Sequence, residues 1–271
     1  MMKVSKPLCA VLFLMSMPPV MAQLPTLLEK PWLGHFLGYQ QRGFQFGVKE
    51  DGKMVFEAKN DKGTFMGFVR SVNINPEVVE MVGGKPIIKQ IIPESLVSVD
   101  KPTDKPTKIT YRGKVTGDAE FEVFLEFDGA TIFMGGRLLS SGTLTNPLQF
   151  QIRARHYDVY DKMQDARVLT EAKKDRLDYV RTDKKKGKAE WLEPINLGSD
   201  EVSGKGLTQL MVEIKCYEDR KFEYSLMGDG LLIMESLRGQ AAPPREGFSV
   251  IWRADAVKDK LGKGRLKFVF K

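Results

Sequence analysis

The sequence has 271 residues, a formal net charge of +7 at pH 7, 42% hydrophobic residues and only two cysteines, Cys9 and Cys216. Because Cys9 lies in a predicted leader, an intramolecular disulfide is excluded for the mature chain, and stability must come from a hydrophobic core. The modest basic excess favours an acidic partner such as an anionic polysaccharide or a membrane surface, although a solvated charged surface explains it as well.

The first 22 residues have the layout of a secretory signal peptide. Two lysines precede an apolar run from Leu8 to about Met17, and Val-Met-Ala follows two prolines, which places the predicted cleavage after Ala22. The run is too short to span a bilayer, and no later stretch of about 18 uninterrupted apolar residues exists. We therefore expect residues 23–271, with a charge of +5 after loss of the two lysines, to be exported to the periplasm or the extracellular space without a transmembrane span. An uncleaved anchor is the alternative.

Two aromatic residues near the mature N-terminus are candidates for ligand contact. Trp32 and Tyr39 lie in PWLGHFLGYQQ, residues 31–41, where periodicity constrains their orientation little. Each combines a flat apolar ring with a polar group, which suits stacking on a sugar ring. Packing in the core is the competing explanation.

A β-hairpin is the first regular element that the sequence predicts. In FQFGVKEDGKMVFEA, residues 44–58, apolar side chains alternate on both sides of an Asp-Gly pair. A three-residue loop with Gly52 in the left-handed conformation pairs Phe44 with Ala58 and places every apolar side chain on one face. A two-residue loop would break this match.

The same Asp-Gly spacing recurs in residues 121–134 and 222–235. In the last of these, a loop ending at Gly230 would pair Tyr224 with Met234. We interpret the recurrence as common hairpin geometry and not as a duplicated module. The turn aspartates need no metal to explain them, because Asp before Gly is favoured by the backbone alone.

Glu122 and Glu126 are the candidate catalytic residues. They project from one face of AEFEVFLEF, residues 119–127, and the opposite face carries Phe121, Val123, Leu125 and Phe127. A glycosidase needs only two carboxyl groups at a suitable separation and no local motif, so such a pair is sufficient in principle. Cross-strand ion pairing on a solvated face is the alternative.

A second strand with a polar face is predicted in NPLQFQIRARHY, residues 146–157. Arg153 and Gln151 share its polar face, and Arg153 is a candidate for binding sugar hydroxyls. If this strand and residues 119–127 belong to one sheet, their polar faces form neighbouring rows. His156 falls on the apolar side, which predicts a hydrogen-bonded core histidine.

The strand pattern stops between Asp161 and about Arg181. This stretch lacks Gly and Pro, and its apolar residues recur at near-helical spacing, which predicts one amphipathic helix of four or five turns. The polar residues that follow predict a loop, so that residues 161–206 form a helix-loop insertion.

The predicted loop carries the densest basic run, RTDKKKGK, and Trp191. We expect Lys185 and its neighbours to attract an anionic ligand and Trp191 to offer a flat contact. Nucleic acid is a poor candidate for the partner, because no aromatic side chain alternates with the basic residues, the basic run is short and the chain is predicted to be exported. A solvated connector is the alternative.

A further hairpin is predicted in LTQLMVEIKCYEDRKFEYSL, residues 207–226, with its turn at 218–220. This register pairs Ile214 with Tyr224 and places Cys216 on the inner face. Cys216 is therefore expected to be an unreactive core residue.

These elements predict a mainly β protein of roughly a dozen or more strands. Antiparallel strands with short turns and one apolar face favour a jelly-roll-like β-sandwich. We expect a single domain over residues 23–271 with the helix-loop insertion. The alternative is two smaller β domains, 30–158 and 188–271, joined by the helix.

The sequence lacks the motifs of serine hydrolases, zinc proteases, redox dithiols and phosphate-binding loops, and it has only two histidines. No metal site or cofactor is expected. The function that the sequence favours is an exported, non-catalytic binding or structural protein of the cell envelope or extracellular space, with a glycan or anionic polymer as ligand. The alternative is a carbohydrate-active hydrolase with two carboxylates on a concave face.

Overall fold

The computed structural model describes residues 23–66, 71–157, 175–190, 206–214, 217, 220–236, 247–259 and 261–271. In these ranges the chain forms seventeen β-strands and no α-helix. The strands are β1 (His35–Gln40), β2 (Phe44–Lys49), β3 (Met54–Ala58), β4 (Ser71–Val82), β5 (Lys85–Lys89), β6 (Ile91–Ser98), β7 (Lys108–Val115), β8 (Glu120–Asp128), β9 (Thr131–Ser140), β10 (Leu148–Tyr157), β11 (Arg176–Arg181), β12 (Lys186–Glu190), β13 (Leu207–Glu213), β14 (Lys221–Met227), β15 (Leu231–Ser236), β16 (Gly247–Arg253) and β17 (Arg265–Phe270).

Hydrogen bonds join these strands in one antiparallel sheet. Its order is β1, β2, β3, β4, β10, β16, β15, β13, β14, β17, β9, β8, β7 and β6. Strand β5 adds to the edge of β4 that also carries β3, while β11 adds to β13 and β12 to β11. The contact between β15 and β13 is a single residue pair.

The sheet curls so that its apolar faces meet in one core. Phe56 of β3 lies 5.1 Å from Phe268 of β17, measured between ring centroids, and Phe121 of β8 lies 6.2 Å from Phe150 of β10. The predicted mainly antiparallel β fold is confirmed. The two-sheet sandwich stays a prediction, because the described strands belong to one sheet. The Phe56–Phe268 contact joins the two ranges of the alternative two-domain division.

The first predicted hairpin is confirmed in its register and its turn. Phe44 pairs with Ala58 and Val48 with Met54, and all four side chains are buried. Gly52 has the predicted positive φ, at +77°. Apolar alternation and a local turn together determine this register, because a shift by one residue would expose the entire buried face.

The predicted pairing within residues 222–235 is wrong, although Gly230 does have a positive φ of +148°. Tyr224 pairs with Phe268, while Met234 pairs with Val250. The two strands diverge after the turn and join different neighbours. Alternation identifies the buried face of a strand, but it does not identify the strand beside it.

The predicted register at residues 207–226 is also wrong. Tyr224 pairs with Leu210 instead of Ile214, so the strands are shifted by four residues and the connection between them is longer than three residues. Because side chains alternate with a period of two, an even shift keeps the same side chains facing the core. Cys216 lies outside the described residues.

The C-terminal end of the predicted helix is a strand. Residues 176–181 form β11 and residues 186–190 form β12, so the predicted loop is in part a hairpin, whereas residues 161–174 lie outside the described residues. Leu177 and Tyr179 are buried in β11. In a segment this short, two apolar residues fit a strand period as well as a helical one, which explains the error.

Positive φ at Gly52 and Gly230 makes both positions sensitive to a β-branched residue. We expect Gly52→Val and Gly230→Val each to lower the free energy of unfolding by about 1–3 kcal/mol through backbone strain. Urea unfolding monitored by tryptophan fluorescence measures the change. Glu50→Val is a matched control in the same turn, because Glu50 is exposed and its φ is not positive. Unchanged midpoints at both glycines would contradict the prediction.

Candidate functional site

Turns from opposite sides of the curled sheet meet at one end of the sheet. They border an open cleft of about 590 Å³. This volume is within the range of small-molecule sites. The cleft is lined by Gln41, Arg42, Gly43, Phe44, Asp61, Ala130, Arg220 and Phe270. These residues come from five separate parts of the chain, and three of them carry charge.

The walls of the cleft are two tight turns. Residues 41–43 connect β1 to β2, where the Gln41 amide donates a hydrogen bond to the Phe44 carbonyl at 2.9 Å. Ala130 lies in the turn between β8 and β9. The Tyr39 hydroxyl donates to the Gly129 carbonyl at 2.8 Å and so fastens one turn to the other. Tyr39, predicted to contact a ligand, therefore lies beside the cleft and helps to shape it.

Arg220 lies at the back of the cleft, with 18% of its side chain exposed. Its guanidinium lies 5.4 Å from the ring centroid of Phe270, which gives a cation–π contact. Nη1 donates to the Gly43 carbonyl at 3.5 Å, and Nη2 donates to Asp61 Oδ1 at 2.5 Å. A Cβ at position 43 would collide with Nη1, so Gly43 leaves the space that the guanidinium occupies.

Asp61 faces Arg220 from the tip of a compact turn, and 87% of its side chain is exposed. The side-chain oxygen of Asn60 accepts hydrogen bonds from the amides of Lys62 and Thr64, at 3.0 Å and 2.9 Å. Such Asx geometry stabilises a turn independently of the rest of the chain. The position of Asp61 is therefore set by its own turn and not by its ion pair.

Arg42 stands at the mouth of the cleft and is exposed. Over the described ranges it makes no salt bridge, so its charge is open to solvent. Together with Arg220 and Asp61 it gives the described lining a formal charge of +1. Glu218 and Asp219 precede Arg220 in the sequence and lie outside the described residues.

A second cavity, of about 480 Å³, lies beside the loop between β9 and β10. Its lining consists of leucines, a proline and neutral polar residues, without a charged side chain. The first cleft is the stronger candidate because it combines charge, amide groups and aromatic rings.

Arg153 belongs to a buried polar network on the outer face of β4, β10, β16 and β15. Its Nε donates to Glu77 at 3.0 Å and its Nη1 donates to Glu235 at 2.7 Å. Gln151 also donates to Glu77, at 2.7 Å, and accepts from Arg253. Burial alone would lower the pKa of Arg153, but the two carboxylates outweigh it and the pKa is raised.

This network is buried although it lies on the face opposite the core. Gln151, Glu77 and Arg153 are almost fully buried, as are Ser249 and Ile251 beside them on β16. The sequence suggests that Arg153 lies on an open sugar-binding face, but in the structure its side chain is buried in this network. The sequence does not identify Glu77 and Glu235 as members of this network, because their partner, Arg153, is distant from both in the sequence.

Glu122 is held between two arginines. Arg112 donates to its Oε1 at 2.7 Å, and Arg137 donates to its Oε2 at 2.9 Å. Glu126, 49% exposed, forms an ion pair with Lys108 at 3.4 Å. Four positions along one strand separate the two glutamates by about 13 Å between Cα atoms, at about 3.3 Å per residue. These contacts match the alternative interpretation, cross-strand ion pairing.

The structure does not bring Glu122 and Arg153 together. Their inward neighbours, Phe121 and Phe150, contact each other across the core. Because side chains alternate along each strand, Glu122 and Arg153 point away from the core on opposite sides. The common polar face that the sequence suggested therefore does not exist.

The remaining predicted ligand residues lie apart from the cleft or outside the described part of the chain. Trp32 is 6% exposed, and its indole lies against Gly38, where a Cβ would collide with the ring. Little of this ring is open to a ligand. Lys185 is exposed in the turn between β11 and β12, where it faces Asp183 at 3.9 Å. Trp191 lies outside the described residues.

No known protein family matches the sequence, and no curated protein matches it either. Among the described residues, none forms a helix long and apolar enough to cross a membrane. The cleft geometry is therefore the basis on which a function is proposed for the chain.

Proposed function

We propose that this chain is an exported, non-catalytic binding protein of the periplasm or extracellular space, and that it binds an acidic glycan or another anionic polymer. The observation that carries the proposal is the cleft with Arg42 at its mouth and Arg220 at its back. Guanidinium groups suit carboxylates and sulfates, and they bind them in a planar, two-point geometry. The signal-peptide pattern of residues 1–22 supports the proposed export, and the alternating strand pattern supports a proposed β-sandwich fold.

A second function, glycoside hydrolysis by Glu122 and Glu126, is less well supported. A hydrolase needs one carboxyl group that is poised as an acid and another that reacts with sugar or water. Both oxygens of Glu122 are instead engaged by arginines. A binding role needs no such free pair.

Binding is tested with the mature chain, residues 23–271, on an array of neutral, uronic-acid and sulfated glycans. We expect retention on acidic glycans only, with affinity that falls as ionic strength rises beyond about 0.1 M. Arg42→Ser and Arg220→Gln should each weaken binding by about ten-fold or more, as expected for loss of a hydrogen bond to a charged group.

The control changes the other basic site that the sequence singled out. A variant with serine at Lys184, Lys185, Lys186 and Lys188 removes more positive charge than either arginine change, but at the turn and strand of another hairpin. If this variant loses binding while the arginine variants keep it, the cleft is not the site. If no acidic glycan is retained by the unmodified chain, the proposed function is wrong.

A further inference from the structure

The ion pair between Asp61 and Arg220 has an uneven environment. The two residues are 159 positions apart in the sequence, and their atoms approach to 2.5 Å. Arg220 is largely buried, whereas Asp61 is nearly as exposed as a free side chain. Protein atoms of the cleft therefore surround most of the Arg220 side chain, whereas solvent surrounds most of the Asp61 side chain.

We infer that Asp61 occupies the position of the ligand's acid group, and that a carboxylate or sulfate on an acidic oligosaccharide displaces it from Arg220. The inference rests on the proposed function and adds the identity of the recognised group. Arg220 keeps its position when Asp61 leaves, because the Phe270 ring and the Gly43 carbonyl still hold the guanidinium.

Displacement of Asp61 is favourable because the aspartate is mostly solvated already. An ion pair with one exposed partner contributes little to stability, since the exposed carboxylate can exchange the arginine for water. The Asn60 turn holds the backbone around Asp61 without the ion pair, so only the side chain has to rotate. The chain thus loses little when a ligand takes this place.

The arrangement of charge indicates which ligands fit. Arg220 lies inside the cleft beside Phe270, and Arg42 lies at its entrance. A ligand with acid groups on successive units can pair with both arginines, while the side-chain amide of Gln41, which lines the same cleft, can bond to a sugar hydroxyl. Carboxylate-bearing and sulfate-bearing sugars share this chemistry, and neutral sugars lack it.

The test measures affinity for a sulfated and a polyuronic oligosaccharide by titration calorimetry on the mature chain. Asp61→Asn removes the internal competitor and should tighten binding by about two- to five-fold, the range for an exposed ion pair. Arg220→Gln should weaken binding by about ten-fold or more. In the Arg220→Gln background, Asp61→Asn should give no further gain, because the two residues act through one contact.

Asp183→Asn is the matched control, because it changes the net charge equally and also removes an exposed aspartate from an ion pair. The control site lies away from the cleft. Asp183 lies two residues after Arg181, which pairs with Leu207 at the start of β13, whereas Arg220 follows the opposite end of β13. Equal gains in Asp61→Asn and Asp183→Asn would overturn the inference, since net charge would explain both. Weaker binding by Asp61→Asn would also overturn it.

The two proposals can fail separately. Failure of the unmodified chain and all variants to bind any acidic oligosaccharide contradicts the proposed function. Binding that depends on Arg42 and Arg220 but is indifferent to Asp61 contradicts only the displacement. The ratio of the affinities for the polyuronic and the sulfated oligosaccharide shows whether carboxylate or sulfate is the preferred group.

Discussion

Acidification from about pH 7.5 to about pH 5 is expected to lower the free energy of unfolding by about 2 kcal/mol through His156 alone. The imidazole is buried, is stacked on Phe248 with ring centroids 4.2 Å apart, and hydrogen-bonds through Nε2 to the Tyr224 hydroxyl. Burial lowers the pKa of His156 from 6.5 to about 3. Nδ1 has no hydrogen-bond partner among the described residues, so a second N–H there would find no acceptor.

The sign follows from where the proton binds. Between about pH 6.5 and pH 3 the unfolded chain binds a proton at His156 and the folded chain does not, so acid stabilises the unfolded state. The contribution of neutral His156 is complete above pH 6.5 and is lost as the pH falls toward the folded pKa. A pH of about 5 lies about 1.5 units below the unfolded-state pKa of 6.5. Each of these units changes the free energy of unfolding by about 1.4 kcal/mol.

Urea unfolding at several pH values measures this slope in the unmodified chain, in His156→Gln and in His35→Gln. Glutamine does not titrate, so His156→Gln should remove the steep part of the slope, even if the variant is less stable at every pH. His35→Gln changes the only other histidine and should retain the slope. An identical slope in the His156 variant and the unmodified chain would show that carboxylates cause all of the acid sensitivity.

Local patterns predicted much of the fold, because alternation and a turn act within a few residues. The β2–β3 hairpin and the core position of His156 both follow from alternation. The partner of a strand is a different question, since one apolar face fits any antiparallel neighbour. The separation of β14 from β15 and the strand at residues 176–181 show the consequence.

The cleft was beyond sequence reasoning for a related reason. Arg42, Asp61 and Arg220 lie in turns or beside strand ends, where a charged residue is ordinary and carries no signal of its own. Only the curl of the sheet brings them together. The chemistry of Tyr39 predicts ligand contact, and the structure places its hydroxyl against the turn that lines the cleft.

Glu77→Gln is expected to lower the free energy of unfolding by about 3–5 kcal/mol, the cost of breaking a buried ion pair. Glu77 accepts hydrogen bonds from Gln151 and Arg153, and all three side chains are buried. The substitution keeps the shape of the side chain but removes its charge. Arg153 then retains Glu235 as its remaining carboxylate partner among the described residues.

Glu126→Gln is the matched control, because it makes the same chemical change on an exposed carboxylate that pairs with Lys108 at 3.4 Å. An exposed pair contributes at most about 1 kcal/mol, so this variant should unfold at nearly the same urea concentration as the unmodified chain. The difference between the two variants therefore reports the effect of burial on an ion pair of the same type. If Glu77→Gln is no more destabilising than Glu126→Gln, the network around Arg153 does not contribute to stability through its charge.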